Sequence, residues 1–297
     1  MRNTYTIRHH TIYRYDFPVS VSHHVARLKP LSNARQQTHA FELSILPQPE
    51  TVIERVDFFG NALHQFSLQK SHQELELEAY SEVTVDSPGA PLPDIAATCA
   101  EVRAALTQPR TPEAFEAKQF TYASPQIPIL PELQDLTRSF LAESGHYLGG
   151  ALALAEFIYE NYEFDPTATD VMTPVQEVVK LRRGVCQDFA HLGIACLRSI
   201  GMPVRYASGY ILTNPPPGMP RLEGADASHA WISIYDPDLG WIDIDPTNNI
   251  ICGEQHIAVG YGRDYQDVSL VRGAMTGGGR HSIEVGVTVA PKVDALV

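Results

Sequence analysis

The sequence has no apolar run long enough to cross a membrane, and basic residues are scarce. Charged residues interrupt each hydrophobic stretch well before about 20 residues accumulate. The first residues, MRNTYTIRHHTIYRYDF, contain no apolar segment of the kind found in secretion signals. The 22 Lys and Arg residues are outnumbered by 35 Asp and Glu residues, which gives a formal charge of −13 and disfavours nucleic-acid binding. We therefore expect a cytoplasmic protein that binds neither nucleic acid nor a membrane.

Cysteine is also scarce. The four cysteines are far apart in the sequence: Cys99, Cys186, Cys196 and Cys252. Because no two are closely spaced, the pattern predicts reduced thiols rather than a disulfide framework. At 297 residues with 44% hydrophobic side chains, the chain is long and apolar enough to bury a substantial core.

Two kinds of periodicity follow one another along the chain. Residues 1–90 alternate apolar and polar side chains as β-strands do, for example in LELEAYSEVTV (75–85), and Gly60-Asn61 is typical of a hairpin turn. After the Pro- and Gly-rich segment SPGAPLPD (87–94), the period becomes that of helices. The predicted helices cover residues 94–106, 131–144, 149–162 and 173–183. We predict an α+β protein with a sandwich-like all-β domain at 1–90, a core at 91–275, and a final strand and tail at 276–297.

Cys186 lies where an amphipathic helix is predicted to start. Apolar residues recur at helical spacing after it, and Gly201-Met202-Pro203 ends the run. The free N–H groups and the dipole of a helix start favour an anion, which for cysteine is the thiolate. Cys196 lies inside the apolar face and is expected to be inert core. A cysteine near a helix start is commonly a packing residue, so a nucleophile also requires a base and a group that orients the base.

A predicted hairpin supplies both of these groups. The strands HAWISIY (229–235) and GWIDIDP (240–246) flank the turn signal Asp236-Pro237-Asp238. With a three-residue loop, His229 faces Asp245 directly, and with a five-residue loop the two are diagonal neighbours. Both registers place the two side chains on one face of the sheet, within reach of a hydrogen bond. The opposite, apolar face is expected to pack on the Cys186 helix. The predicted catalytic residues are therefore Cys186, His229 and Asp245, with no cofactor and no metal.

Three segments resemble the core of the transglutaminase-like superfamily: GVCQDFAHLGIACLRSIGMPVRYASGY (184–210), SHAWISIY (228–235) and GWIDIDPTNN (240–249). The β-rich first half is similar to the N-terminal region of bacterial transglutaminase-like proteins. The resemblance implies a papain/transglutaminase-like core, in which a Cys-bearing helix packs on an antiparallel sheet. It also implies a Cys-His-Asp triad that cleaves amide or peptide bonds of peptide or protein substrates through a thioester. The alternatives are a protein-glutamine transamidase, and a binding module that keeps the fold without activity.

Three further features have more than one interpretation. Zinc binding by Cys186, His191, His229 and Cys252 is chemically feasible, but the spacing fits no common ligand pattern, and we expect no zinc. Asp188 and His191 lie near Cys186 and are at least as consistent with a structural role as with substrate binding. The Pro- and Gly-rich segment 212–228 precedes His229 as either a lid or a plain surface loop.

Overall fold

The structure is a computed structural model that describes residues 2–87, 89–213 and 228–292. Its first five strands follow one another: β1 (Arg2–Ala26), β2 (Gln36–Leu46), β3 (Val52–Val56), β4 (Ala62–Leu68) and β5 (His72–Asp86). The middle of the chain contains α1 (Cys99–Thr107), α2 (Pro112–Lys118), α3 (Gln134–Phe140), α4 (Tyr147–Asn161), β6 (Glu163–Phe164), α5 (Val175–Leu181), β7 (Arg183–Gly184) and α6 (Cys186–Ser199). The last part contains β8 (Val204–Ile211), β9 (Ser228–Asp236), β10 (Gly240–Asp245), β11 (Ile250–Ile251), β12 (His256–Gly262), α7 (Tyr265–Val268), β13 (Val271–Gly277) and β14 (His281–Pro291).

Short 3₁₀ turns at Pro93–Ile95, Gln119–Thr121 and Pro131–Leu133 complete the regular structure of these ranges. Within them, no helix is both long and apolar enough to cross a bilayer.

The first sheet is built around β1, which is 25 residues long. The N-terminal half of β1 lies between β5 and β14, and its C-terminal half lies between β4 and β13. Strands β2 and β3 extend the sheet on the outside of β5 and β4. The all-β prediction for the first half is confirmed, since residues 2–86 contain strands and no helix.

The C-terminal strands belong to this first sheet. Strand β13 pairs with the end of β1, and β14 pairs with its beginning. The boundary predicted at residue 275 therefore falls inside β13, and the predicted final strand, β14, belongs to the first sheet. The reason is that β2 to β5 cover only one edge of the long strand β1, so its other edge is left for the C-terminal strands.

The second sheet has five antiparallel strands in the order β11-β10-β9-β8-β12. Strand β10 pairs with β9 in the register Ile244↔Ile232 and Gly240↔Asp236. In this register His229 and Asp245 are diagonal neighbours, so their direct pairing is wrong, and the loop between the paired Asp236 and Gly240 contains residues 237–239. The apolar face of the hairpin packs against α6 in one continuous core, as the sequence predicts.

The second sheet is curled so that its outer strands approach each other. Strands β11 and β12 lie at opposite ends of the five-strand order, yet only residues 252–255 connect them. In a flat sheet, four spacings of about 4.8 Å would separate these strands by about 19 Å. The five steps from one residue to the next between Ile251 and His256 span at most about 18 Å when fully extended. Curling therefore brings the beginning of β12 towards the end of β10.

The first sheet packs against the edge strand β12 of the second sheet. Tyr5, Val83 and Val85 from the first sheet share an apolar cluster with Tyr210 and Ile257 from the second. Gln36 fixes the same edge, because its side-chain amide donates to the carbonyl of Ala258 at 2.8 Å and accepts from the N–H of Ala258 at 2.8 Å. The N-terminal domain thereby holds the strand on which His256 lies.

Candidate active site

Cys186 is the first residue of α6, and the start of this helix is fixed by Asp188. The Asp188 carboxylate accepts hydrogen bonds from the N–H of Val185 at 2.8 Å and from the hydroxyl of Thr169 at 2.6 Å. Cys186 is partly exposed, whereas Cys99, Cys196 and Cys252 are buried. The structural interpretation of Asp188 therefore accounts for its position, since it caps the helix and holds the segment that precedes the thiol.

The two arginines that precede Cys186 in the sequence, Arg182 and Arg183, lie in environments other than that of the thiol. Arg183 pairs with Glu163 at 3.1 Å, and Arg182 is exposed at the end of α5 in a left-handed conformation with φ of 52°. The thiol is instead coupled to the imidazole of His229, because the hydrogen bond and the charge of Cys186 help to raise the pKa of that imidazole. The structure thus joins the helix start and the hairpin at these two side chains.

The imidazole of His229 lies between the thiol and a buried carboxylate. Its Nε2 is 2.7 Å from Oδ2 of Asp245, so Nδ1 is the nitrogen left for Cys186. Burial of His229 disfavours its cation, but the hydrogen bonds and charges of Asp245 and Cys186 outweigh burial and raise the pKa of His229 to about 10. The sequence predicted these three residues as a site, and the described structure brings all three together.

Asp245 is fully buried and accepts five hydrogen bonds. Its Oδ2 accepts from His229, from Nδ2 of Asn248 at 2.6 Å and from Nε2 of His256 at 3.1 Å. Its Oδ1 accepts from the backbone N–H groups of Thr247 at 2.9 Å and of Asn248 at 3.2 Å. Burial opposes the charge, but the hydrogen bonds from the two histidines and the charges of both hold the pKa of Asp245 well below its ordinary value. The carboxylate is therefore a fixed anion that orients His229.

His256 is a member of this site that the sequence analysis missed. Its ring lies edge-on to Trp231 with centroids 5.3 Å apart, and its Nδ1 is buried without a hydrogen-bond partner among the described residues. Gly209 makes room for this packing, since a Cβ there would lie 2.5 Å from the Trp231 ring and 2.1 Å from the carbonyl oxygen of Ile257. The only signal in the sequence is that His256 begins an alternating segment, which does not indicate contact with Asp245.

The other candidate residues have structural surroundings. His191 is buried, and its Nε2 accepts the N–H of Tyr265 at 3.2 Å. Burial lowers the pKa of His191 to about 4, so the ring is neutral at pH 7. Burial raises the pKa of Cys196 to about 12, which agrees with the prediction of an inert core thiol. Residues 214–227, most of the segment considered as a lid, lie outside the described residues.

One group of side chains has the donor atoms of a metal site. Among the described residues, ligand atoms of His229, Asp245 and His256 lie within 4.8 Å of one another, while the zinc set considered from the sequence is not brought together. Tetrahedral zinc with bonds of about 2.0–2.1 Å holds its ligand atoms about 3.3 Å apart. The observed separations of 2.7 and 3.1 Å from Asp245 are instead those of hydrogen bonds. The three residues therefore fit a hydrogen-bonded network better than a metal centre.

Comparisons with known proteins agree with this architecture. Residues 134–246 match the model of the transglutaminase-like superfamily, and residues 5–84 match that of the bacterial transglutaminase-like N-terminal region. An uncharacterized protein of Mycobacterium tuberculosis is 36% identical over 98% of this chain and 94% of its own length. A protein-glutamine gamma-glutamyltransferase of Pseudomonas aeruginosa is 31% identical over 91 residues, which are 30% of this chain and 14% of that protein.

A solved structure has the same overall fold. It is a candidate cysteine protease from Cytophaga hutchinsonii, with a TM-score of 0.74, 19% identity, and coverage of 100% of this chain and 93% of that one. At this identity the likeness concerns the fold alone. Together, the two family matches, the full-length relatives and the shared fold show that this chain belongs to the transglutaminase-like superfamily, a family of cysteine-dependent enzymes.

Proposed function

We propose that the chain is a thiol hydrolase that cleaves amide or peptide bonds in peptide or protein substrates. Cys186 is the nucleophile, His229 is the base and acid, and Asp245 orients His229. The observation that carries the proposal is the grouping of three side chains, in which Nε2 of His229 lies 2.7 Å from Oδ2 of the buried Asp245 and Cys186 raises the pKa of His229. A nucleophile, a base and a group that fixes the base are the requirements for covalent catalysis of this type.

The reaction has two stages that use the same side chains. The sulfur of Cys186 attacks the carbonyl carbon of the substrate after its proton has passed to Nδ1 of His229. The C–N bond then breaks, the leaving amine takes the proton from His229, and a thioester remains. In the second stage His229 removes a proton from water, the water oxygen attacks the thioester, and the C–S bond breaks to release the acid and the Cys186 thiol. The helix-start N–H groups near Cys186 are the proposed donors to the oxyanion.

His256 and Asn248 act as positioning residues in this proposal. Both donate a hydrogen bond to Oδ2 of Asp245, the atom that also accepts the hydrogen bond from Nε2 of His229. Because Asp245 is completely buried, these donors compensate the charge that water would otherwise solvate. They therefore keep the carboxylate ionised and aimed at His229.

The same triad also serves transfer of the acyl group to an amine. Attack of a primary amine on the thioester, in place of water, would give a transamidase, the activity named in the relative from Pseudomonas aeruginosa. Hydrolysis is our first choice because the described residues identify no site for an acceptor amine. The proposal includes a cytoplasmic location, which four unpaired thiols support, and action without metal, nucleic acid or membrane.

The first experiment measures alkylation of Cys186 by iodoacetamide between pH 5 and pH 9, in the wild type and in His229→Ala. We expect fast labelling well below pH 8 in the wild type and a loss of at least tenfold in the variant. The matched control is His23→Ala, because His23 is exposed and, among the residues that the structure describes, its side chain has one hydrogen bond, to Ser67. Equal labelling of wild type and His229→Ala would contradict the proposed triad and favour a binding module.

The second experiment separates hydrolysis from transfer. A peptide library is incubated with the protein, with and without a fluorescent primary amine, and products are read by mass spectrometry. Cleaved peptides that depend on Cys186 support the hydrolase. Amine incorporation at glutamine without cleavage would replace it by the transamidase. If neither product forms and Cys186 is labelled like an ordinary thiol, the remaining interpretation is a binding module.

A further inference from the structure

A cavity of about 650 Å³ lies between the β9–β10 hairpin and loops of the N-terminal domain. Trp241 and Asp243 line it from β10, on the same sheet face as Asp245. Phe59 and Arg35 line it from the loops that precede β4 and β2. None of the triad residues and no atom of His256 is part of its lining. The cavity is therefore separate from the candidate active site and extends along the hairpin away from it.

The wall of the cavity contains an arginine without an ion-pair partner. Arg205 on β8 is stacked between two aromatic rings, with its guanidinium carbon 3.9 Å from the centroid of Trp241 and 3.6 Å from that of Tyr261. Its Nε donates to the hydroxyl of Ser233 at 3.3 Å. Among the described residues, no carboxylate lies within 4.0 Å of this guanidinium. The flat cation is thus held rigidly, and its Nη groups are not used by a protein acid.

The surrounding charges leave this region positive. Asp243 is the nearest acid in the lining, and its Oδ2 already accepts the hydroxyl of Tyr261 at 3.0 Å and lies 3.9 Å from Arg35. Arg35 donates its other Nη group to the carbonyl of Cys252 at 2.7 Å. Burial lowers the pKa of Arg205, although Tyr261 and the charges of Asp243 and Glu116 oppose this effect. The lining therefore contains two guanidinium groups and one carboxylate, and this carboxylate already accepts a hydrogen bond from Tyr261.

We propose that this cavity binds a carboxylate attached to an apolar or aromatic group. A stacked guanidinium presents two parallel N–H donors, which match the two oxygens of a carboxylate. The rings of Trp241 and Phe59 supply apolar walls for the rest of the ligand, and the volume suits a molecule of two or three residues. The carboxylate source is either a free organic acid or the C-terminus of a peptide, and both share this chemistry.

The test uses the full chain and two pairs of probes, with binding measured by titration calorimetry at low salt. The first pair is 3-phenylpropionate and its neutral amide, and the second is an acetylated Leu-Phe dipeptide with a free or an amidated C-terminus. We expect each acid to bind at least tenfold more tightly than its amide. Stronger binding of the dipeptide acid assigns the cavity to peptide C-termini, and stronger binding of 3-phenylpropionate assigns it to free acids.

Two variants locate the binding. Arg205→Gln should lower the affinity for both acids at least tenfold. The matched control is Arg110→Gln, which should leave this affinity unchanged, because Arg110 is exposed and has no hydrogen bond among the described residues. Ala34→Trp fills the cavity from an exposed loop position without changing Arg205, so it decides the question if Arg205→Gln unfolds.

The result must also be independent of the candidate active site. Protein alkylated at Cys186 should bind the acids with unchanged affinity, whatever activity the triad has. The proposal is overturned by equal binding of acid and amide, by no binding at 10 mM, or by binding that survives Ala34→Trp. Loss of binding on alkylation would also overturn it, because the acids would then occupy the candidate active site.

Discussion

Replacement of Asp245 by asparagine is the sharpest test of the proposed triad, because it removes a charge while keeping the shape of the side chain. In Asp245→Asn, Oδ1 can still accept the backbone N–H groups of Thr247 and Asn248. The new NH₂ group, however, meets the donors of His229, His256 and Asn248. His229 then has to present Nε2 as an acceptor, which places its proton on Nδ1, facing the thiol. In that tautomer the ring cannot take the proton of Cys186.

The size of the effect follows from the charge environment of His229. Its pKa rises from 6.5 to about 10, a difference of about 3.5, and at 1.36 kcal/mol for each pKa unit this is about 5 kcal/mol of net imidazolium stabilisation. Asp245 and Cys186 together supply this amount and also offset the effect of burial. An equivalent loss in the transition state is a factor of roughly 10³–10⁴, the same order as the loss known for a serine-protease triad when its aspartate becomes asparagine.

The assay is the second-order rate of Cys186 alkylation at pH 6.5, together with kcat/KM for any cleaved peptide. The matched control is Asp236→Asn in the same hairpin, since Asp236 is also buried and accepts three backbone N–H groups, but has no hydrogen bond to an imidazole among the described residues. We expect both variants to lose stability and only Asp245→Asn to lose reactivity by 10³-fold or more. If Asp245→Asn kept its reactivity within threefold of Asp236→Asn, the role given to the carboxylate would be wrong.

Three further outcomes follow from the packing and the ionisation of buried groups. His256→Phe removes one hydrogen bond to a charged acceptor, worth about 1.5–3 kcal/mol, and should lower kcat about 10–100-fold with little change in KM; equal loss in both would indicate a general structural defect. Gly209→Ala places a Cβ 2.1 Å from the carbonyl oxygen of Ile257 and should lower the free energy of unfolding by about 1–3 kcal/mol or more in urea, whereas Gly253→Ala, whose Cβ would meet nothing closer than 3.9 Å, is the control. Burial lowers the pKa of three histidines from 6.5 to about 4, so their stabilising contribution is present above pH 6.5 and is lost as the pH falls towards 4. These histidines are His9, His24 and His191. For each of them, the free energy of unfolding in urea should be about 2 kcal/mol lower at pH 5 than at pH 7. Substitution by glutamine should remove this difference, and a free energy of unfolding that does not change with pH would contradict the prediction.

The triad was predictable because its geometry depends on simple periodicities. Side chains of a strand alternate between faces, so His229 and Asp245 share a face in either of the two registers considered. The sequence could not choose between these registers, because the turn residues 236–240 are compatible with both loop lengths. The structure identifies the register, because Gly240 pairs with Asp236. Cys186 was predictable for a similar reason, since a helix start places a side chain at the end of a packed element.

His256 and the cavity beside Arg205 depend on tertiary structure that no local pattern contains. His256 reaches Asp245 because the second sheet curls and β12 pairs with β8 instead of continuing beside β11. Arg205 looks like an ordinary polar residue on one face of a strand, and its two aromatic neighbours come from two other strands. The pairing of β13 and β14 with β1 was hidden for the same reason, since only the three-dimensional structure brings these strands back to the first sheet.

The pairing of β1 with β13 and β14 also determines how long one edge of β1 stays unpaired while the protein is being synthesised. After β5 has left the ribosome at residue 86, another 205 residues must be translated before β14 ends at residue 291. At about 5–20 residues per second this takes about 10–40 s. During that interval the 25-residue β1 has one edge without its native partners, and unpaired edges of this length invite pairing with other chains. We therefore expect the nascent N-terminal half to need protection by a chaperone during this interval. A chain that stops before residue 271 would leave the ribosome with that edge of β1 still unpaired.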